Sequence, residues 1–166
     1  MSVTTVYLSM GANLGEPKTQ IERGIIELNE QDVAVTARSS WYATEPVGVA
    51  DQPWFTNVVL RAETSRSPQD LLKVCKSIET HVGRQPSVRF GPRHLDIDIL
   101  LYGDRIVDSE DLTIPHPRMH ERPFVLIPLL EIAPELTDPV SHEPYAEILS
   151  RLDEGKKVLR SPINES

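Results

Sequence analysis

Four segments of the chain are rich in β-branched and aromatic residues or alternate apolar with polar positions, and each predicts a β-strand. The segments are residues 3–10, 33–44, 55–63 and 94–102. The third segment is predicted to be the hairpin partner of the second. Residues 11–15, with two glycines and an asparagine, predict a turn that ends the first strand.

Two helices are predicted between these strands. Ile21, Ile25 and Leu28 recur at helical spacing after Pro17, and proline is favoured in the first turn of a helix. The second helix has a clearer start, because Ser67 supplies an N-cap that is followed by a proline and an acidic first turn. Its predicted buried stripe comprises Leu71, Cys75, Ile78 and Val82.

The order strand, helix, strand, strand, helix, strand predicts a ferredoxin-like α+β fold, an antiparallel sheet with helices packed on it. A chain of 166 residues can build one ordinary core, so we expect residues 1–166 to form a single domain. Beyond Ile114 prolines punctuate the chain, and one last short helix is predicted at residues 146–152. The long loops and the C-terminal region are therefore available to build a site.

The composition narrows the choice of partners and compartment. The formal net charge is −8, which argues against binding to nucleic acid or to an anionic membrane, because both require a positive surface. No apolar stretch reaches the roughly 18 to 20 residues of a membrane span, and the N-terminus lacks the basic start of a secretory signal. We therefore expect a cytoplasmic protein. We also expect a monomer. The single cysteine, Cys75, is expected to be a small buried apolar residue.

Two aspartates alternate with isoleucines in the fourth predicted strand. The period of two in a strand sends Asp96 and Asp98 to one face and the isoleucines to the other. Their Cα atoms then lie about 6.5 Å apart, and such a pair can bind Mg²⁺ ions about 3.5 to 4 Å from each other. We predict a magnesium site here in preference to a solvated strand face.

Positive charge is concentrated in two loop-like segments of this acidic chain. The residues are Arg84, Arg89, Arg93, Arg118 and Arg122, with His94, His116 and His120 beside them. Guanidinium groups match phosphate oxygens in two-pronged hydrogen bonds. Magnesium that is held by only one or two carboxylates completes its shell with water and substrate phosphates. Together these features predict a nucleotide as the ligand.

Six groups of residues share their identity and order with one enzyme family. They are LSMGANLG (8–15), SWYATEP (40–46), DQP (51–53) with Phe55 and Asn57, IE (78–79) with GR (83–84), GPRHLDIDILLYG (91–103) and IPHPRMHERPF (114–124). The chain resembles 6-hydroxymethyl-7,8-dihydropterin pyrophosphokinase from Leu8 to about Pro134. It departs from the usual residues of that family at Lys76, Phe90, His94, Trp54 and Pro86.

The resemblance implies an enzyme of folate biosynthesis that transfers the β,γ-pyrophosphoryl group of ATP to the hydroxymethyl oxygen of the pterin and leaves AMP. It implies two Mg²⁺ ions held by Asp96 and Asp98. The residues that it assigns to the nucleotide or its phosphates are Arg84, Arg93, Glu79, His116 and Arg122. The residues that it assigns to the pterin are Phe55 and Phe124, which stack on the ring, and Asn57, Thr44 and Val47, which bind its edge.

Catalysis in such an enzyme is expected to depend on alignment and on charge stabilisation, with Arg84 and Arg93 beside the two aspartates. The long polar loop at residues 84–90 is expected to close over ATP. Two other interpretations use the same residues. One is a metal-dependent phosphodiesterase or nucleotide hydrolase, and the other is a ferredoxin-like ligand-binding domain without catalysis.

Overall fold

Strands and helices alternate along the chain in the computed structural model, which describes residues 2–44, 54–82, 95–152 and 158–160. The N-terminal elements are β1 (Thr4–Ala12), α1 (Pro17–Glu30), β2 (Val33–Arg38), β3 (Tyr42–Thr44), β4 (Phe55–Thr64), α2 (Pro68–Val82) and β5 (Asp96–Tyr102). The C-terminal elements are β6 (Val107–Asp108), β7 (Thr113–Ile114), a 3₁₀ turn (Met119–Glu121), α3 (Pro123–Ile132), α4 (Tyr145–Ser150) and β8 (Val158–Arg160).

The main sheet has the strand order β5-β1-β4-β3-β8, and β2 also pairs with β4. Every pairing in this sheet is antiparallel. Both β2 and β3 pair with β4, as the predicted hairpin requires. The prediction of a ferredoxin-like α+β fold is therefore confirmed.

The predicted strand at residues 33–44 is wrong in one respect, because it divides into β2 and β3. Between the Arg38–Leu60 pair and the Tyr42–Asn57 pair, four steps along one strand match three along β4. The extra residue is accommodated at Ser39, whose hydroxyl accepts a hydrogen bond from the Val59 N–H at 3.0 Å and donates one to the Ser40 carbonyl at 2.8 Å. A side chain that replaces a ladder partner in this way interrupts a strand.

Apolar side chains on the two faces of the sheet form two cores. On one face, α1 and α2 cover a cluster that includes Leu8, Met10 and Ile97. On the other face, α3 and α4 cover a cluster that includes Tyr7, Val59, Leu100, Leu126 and Tyr145. The alternation of Tyr7 with Leu8 along β1 shows that the central strand is buried on both sides.

Helix α3 was not predicted from the sequence, since Pro123 and Pro128 indicate irregular structure. Pro123 occupies the first turn, where no backbone N–H is needed, and Pro128 is tolerated inside a helix that lies against the sheet. The last predicted helix is confirmed as α4, which begins one residue before the predicted start. Within the described ranges, no helix is long and apolar enough to cross a membrane.

The predicted cap of α2 is present, because the Ser67 hydroxyl accepts a hydrogen bond from the Asp70 N–H at 3.1 Å. We expect Ser67→Ala to lower the free energy of unfolding by about 1 kcal/mol, since this N–H then loses its partner. Ser67→Asp, which keeps an acceptor, is the matched control and should lie close to the wild type. Urea unfolding measures both, and an equal loss in the two variants would contradict the capping role.

Candidate active site

The strand register places four site positions in one row across the sheet. Gly11 of β1 lies opposite Asp96 of β5 on one side and opposite Asn57 of β4 on the other. Asn57 in turn lies opposite Tyr42 of β3. Residues that are directly opposite in antiparallel strands project from the same face. A predicted metal ligand and a predicted pterin ligand therefore stand on the two sides of Gly11.

The adjacent row of paired residues shows which face of the sheet carries Asp96 and Asn57. Ser9 lies opposite both Asp98 and Val59, and Val59 belongs to the core beneath α3 and α4. Ile97 and Ile99 are buried in the core beneath α1 and α2. The prediction that the aspartates and the isoleucines occupy opposite faces is thus confirmed, and the aspartates share the face on which α3 packs.

Gly11 was predicted to lie in a turn, and this was wrong because β1 continues through Ala12. A Cβ atom at Gly11 would lie 2.7 Å from Oδ1 of Asn57, closer than real Cβ contacts. A glycine inside a strand marks a place where another group approaches the backbone closely. That glycine is the signal by which the sequence could have revealed this position as part of the site.

Thr44, Phe55 and Asn57 are brought together where β3 pairs with β4. The Asn57 side-chain amide donates a hydrogen bond to Oγ1 of Thr44 at 2.5 Å, and both residues are buried. Phe55 lies opposite Thr44 and is partly exposed. The pair of polar side chains and the aromatic ring therefore form one wall, whereas Val47 lies outside the described residues.

Asp96 is partly buried and Asp98 is exposed, so their carboxylates face an accessible side of the sheet. Among the described residues, no group of three or more His, Cys, Asp and Glu side chains could hold a metal ion. Two carboxylate oxygen donors are a set that Mg²⁺ uses when substrate phosphates and water complete its shell. The donor set fits the predicted ion.

Glu79 of α2 holds the backbone between the two aspartates. Its Oε2 atom accepts a hydrogen bond from the Ile97 N–H at 2.7 Å, and its Oε1 atom lies 3.7 Å from Nζ of Lys76. Burial raises the pKa of Glu79 above its usual value; the Ile97 hydrogen bond and Lys76 oppose the shift, and Asp96 and Asp98 add to it. Glu79 therefore holds the strand that carries the predicted metal ligands, and its contact with the nucleotide stays a prediction.

The carboxylate of Asp98 acts to raise the pKa of both His116 and Arg122, so it lies near these two side chains. Burial lowers the pKa of His116; Arg122 and Arg118 lower it further, and Asp98 opposes them. The His116 Nδ1 atom accepts a hydrogen bond from the Arg118 N–H at 3.2 Å, so the neutral ring carries its proton on Nε2. Nε2 is therefore the hydrogen-bond donor of the neutral ring.

Arg122 immediately precedes α3 and connects the cationic side of the site with its aromatic side. Its guanidinium carbon lies 5.6 Å from the centroid of the Phe124 ring, a cation–π distance. Burial also lowers the pKa of Arg122; Arg118 adds to this shift, whereas Asp98 opposes it. The start of α3 thus brings together Arg122 and Phe124, whose roles at the phosphates and at the pterin stay predictions.

Cys75 is fully buried in α2, and this confirms its prediction as a core residue. Burial raises the pKa of the thiol to about 12, and the nearby carboxylates of Glu79 and Asp98 add to the shift. A thiol that stays protonated at neutral pH is a poor nucleophile. Cys75 therefore packs beneath the site without taking part in its chemistry.

Several predicted residues lie outside the described ranges. They are Arg84, Arg89, Arg93 and Val47, together with the departures at Pro86, Phe90 and His94. The closure of the loop at residues 84–90 stays a prediction. Of the other departures, Lys76 forms an ion pair with Glu79, and Trp54 is exposed just before β4.

Comparisons with known proteins agree on one family. A family model described as 7,8-dihydro-6-hydroxymethylpterin-pyrophosphokinase (HPPK) matches residues 7–134. The 2-amino-4-hydroxy-6-hydroxymethyldihydropteridine pyrophosphokinase of Methylorubrum extorquens is 41% identical and covers 91% of this chain and 95% of its own length. The Haemophilus influenzae protein of the same name is 38% identical over 95% of this chain and 99% of its own.

Longer proteins contain a similar region. The folic acid synthesis protein fol1 of Schizosaccharomyces pombe is 44% identical over 88% of this chain, which spans only 20% of that relative. A crystal structure of Plasmodium falciparum HPPK-DHPS with pteroate has the same fold, with a TM-score of 0.71 and 16% identity over 90% of this chain and 42% of its own. This chain belongs to the 7,8-dihydro-6-hydroxymethylpterin-pyrophosphokinase family.

Proposed function

We propose that the chain transfers the β,γ-pyrophosphoryl group of ATP to 6-hydroxymethyl-7,8-dihydropterin, giving AMP and the pterin diphosphate, a step of folate biosynthesis. One observation supports the proposal most directly. Gly11 separates Asp96 from Asn57 and presents no side chain between them. A phosphate held at the aspartates can therefore approach a pterin held at Asn57.

Asp96 and Asp98 are the proposed ligands of Mg²⁺, and we propose two ions. When bound, Mg²⁺ would neutralise the charge of the triphosphate and polarise its oxygens. Glu79 keeps both carboxylates in place through its hydrogen bond to the Ile97 N–H. The aspartates thereby fix where the phosphates of ATP lie.

Four cationic or hydrogen-bonding side chains are proposed to orient the phosphates. Arg122 supplies a fixed positive charge, and neutral His116 donates through Nε2 without adding charge. Arg84 and Arg93 are assigned this role by the family resemblance. Phosphoryl-type transfer needs alignment and charge stabilisation more than covalent help from the protein, so these side chains can supply most of the catalysis.

The pterin is proposed to lie between Phe55 and Phe124, since a flat heterocycle gains from stacking on both faces. Asn57, Thr44 and the backbone near Val47 would bind its donor and acceptor edge. The Asn57 amide already donates to Thr44, which leaves its carbonyl oxygen Oδ1 to accept from the ring. Specificity for a pterin would then follow from hydrogen bonds that match its donor and acceptor edge.

The proposed reaction is a displacement at the β-phosphorus. The hydroxymethyl oxygen forms a bond to this phosphorus, the bond from the phosphorus to the bridging oxygen of AMP breaks, and AMP leaves with that oxygen. Asp98, exposed at the reacting face, is the nearby carboxylate that can hold the hydroxyl proton. No strong protein base is required, because this type of transfer depends mainly on alignment of the phosphates and stabilisation of their charge.

Family membership argues against both the hydrolase and the non-catalytic domain. The predicted monomer and the predicted cytoplasmic location stay predictions. Binding of nucleic acid or of a membrane surface has no place in the proposed reaction, whose two substrates are ATP and the pterin.

Substitution of the aspartates tests the reaction and its metal site together. We expect Asp96→Asn and Asp98→Asn each to reduce pterin-dependent AMP release by about 100-fold or more, because each removes a charged donor from the reacting centre. Asp108→Asn, at an exposed position of β6, is the control and should keep wild-type activity. Release of ADP, or equal AMP release without pterin, would contradict the proposal.

Substitution of Gly11 tests the open space between the substrates. A methyl group there collides with Oδ1 of Asn57, so we expect Gly11→Ala to raise the KM for pterin by about 10-fold or more, with a smaller effect on the KM for ATP.

Steady-state kinetics on a double variant provides the control. In Asn57→Ala the colliding atom is absent, so adding Gly11→Ala should change the KM for pterin little further. Fully additive effects of the two substitutions would show that Gly11 does not act through Asn57.

A further inference from the structure

The carboxylate of Glu131 ties the C-terminal end of α3 to the junction between β2 and β3. Its Oε1 atom accepts hydrogen bonds from the Ser40 N–H at 3.0 Å and from the Tyr42 hydroxyl at 2.8 Å. Its Oε2 atom accepts one from the Ser40 hydroxyl at 2.6 Å. Three hydrogen bonds to one charged acceptor make a specific link between a helix and a strand that are about 90 residues apart in sequence, as Tyr42 and Glu131 are.

Each side of this link carries a wall of the proposed pterin site. On α3, Phe124 lies seven residues before Glu131, which is about two helical turns, so the two side chains are on the same side of the helix. On β3, Thr44 lies two residues after Tyr42 and projects from the same face of the strand. The link therefore joins the side of α3 that carries Phe124 to the face of β3 that carries Thr44.

The pairing of β3 with β4 does not by itself set the distance between Phe124 and Thr44. Ser39 holds the junction on β4, because its hydroxyl accepts from the Val59 N–H and its own N–H donates to the Val59 carbonyl at 2.9 Å. These hydrogen bonds fix the strands relative to each other and do not involve α3. Helix α3 shares an apolar cluster with Val59, and the hydrogen bonds of Glu131 add a polar link to the junction between β2 and β3.

We propose that Glu131 is a positioning residue for the pterin. It sets the distance between the Phe124 ring and the Thr44–Asn57 pair, and so determines the affinity for the pterin, without touching either substrate. This inference rests on the proposed function and on the proposed pterin residues. It assigns no role in nucleotide binding to Glu131, since the predicted metal ligands lie on β5 at the opposite end of the strand order from β3 and β8.

The test compares three variants by steady-state kinetics with ATP, Mg²⁺ and the pterin. We expect Glu131→Ala to raise the KM for pterin about 10-fold, while the KM for ATP and kcat stay within about twofold of wild type. Glu131→Gln keeps an acceptor at the Oε1 position and should restore most of the affinity. Glu135→Ala, at an exposed glutamate beyond the helix, is the matched control and should leave both KM values unchanged.

A double-mutant cycle connects the effect to the link itself. Tyr42→Phe removes one of the three donors, so its effect on the KM for pterin should be largely absent in the Glu131→Ala background. An unchanged KM for pterin in Glu131→Ala would overturn the inference. So would a parallel rise in both KM values with a lowered melting temperature, which is what a purely structural role predicts.

Two further variants separate this inference from the proposed site. If Thr44→Val and Asn57→Ala raise the KM for pterin and Glu131→Ala does not, the positioning role alone is wrong. If Thr44→Val and Asn57→Ala also leave the KM for pterin unchanged, the proposed pterin site is wrong and the inference falls with it. If the wild type releases no AMP in a pterin-dependent way, the proposed reaction itself is wrong.

Discussion

The antiparallel pairing of β1 with β4 and β5 is the constraint on which the site depends. It sets Gly11 opposite both Asp96 and Asn57. Because side chains alternate along a strand, a register shift of one residue would turn Asp96 and Asp98 towards the apolar core beneath α1 and α2. Burying two carboxylates there without partners would be costly. The alternation that places apolar side chains in the core beneath α1 and α2 therefore also places Asp96 and Asp98 on the other face of the sheet.

Groups of like charge lie near one another in the candidate site. Burial raises the pKa of Glu79, and the nearby carboxylates of Asp96 and Asp98 add to this shift. Burial and the neighbouring arginines meanwhile depress the pKa of His116 and Arg122 on the other side of Asp98. A divalent cation would offset the negative charge of the carboxylates. A polyphosphate would bind to His116 and Arg122. The proposed complex of Mg²⁺ with ATP would supply both charges.

Local patterns predicted the part of the fold in which one pattern dominates. The alternation at residues 95–99 and the capped stripe of α2 were both confirmed, because strand period, helix period and cap chemistry point to a single answer there. The division of residues 33–44 into two strands could not be predicted in this way, since Ser39 acts through a hydrogen bond to a distant strand.

The missed parts share a dependence on tertiary context. Helix α3 has prolines that argue against a helix, and it is stabilised by packing on the sheet, which no local pattern records. Gly11 looks like a turn residue until the register shows what lies opposite it. Glu131 looks like an ordinary exposed charge, and only the fold reveals its link to Ser40 and Tyr42. Family resemblance supplied residue roles, but not these connections.

A crystal structure with Mg²⁺, a non-hydrolysable ATP analogue with a methylene bridge between the α- and β-phosphorus atoms, and the pterin would test the central claim most directly. The account predicts metal ions about 2.0 to 2.1 Å from carboxylate oxygens of Asp96 and Asp98. It also predicts a pterin between Phe55 and Phe124, with its hydroxymethyl group over Gly11 and directed at the β-phosphorus. Metal bound away from the two aspartates, or a pterin whose hydroxymethyl group lies away from Gly11, would contradict it.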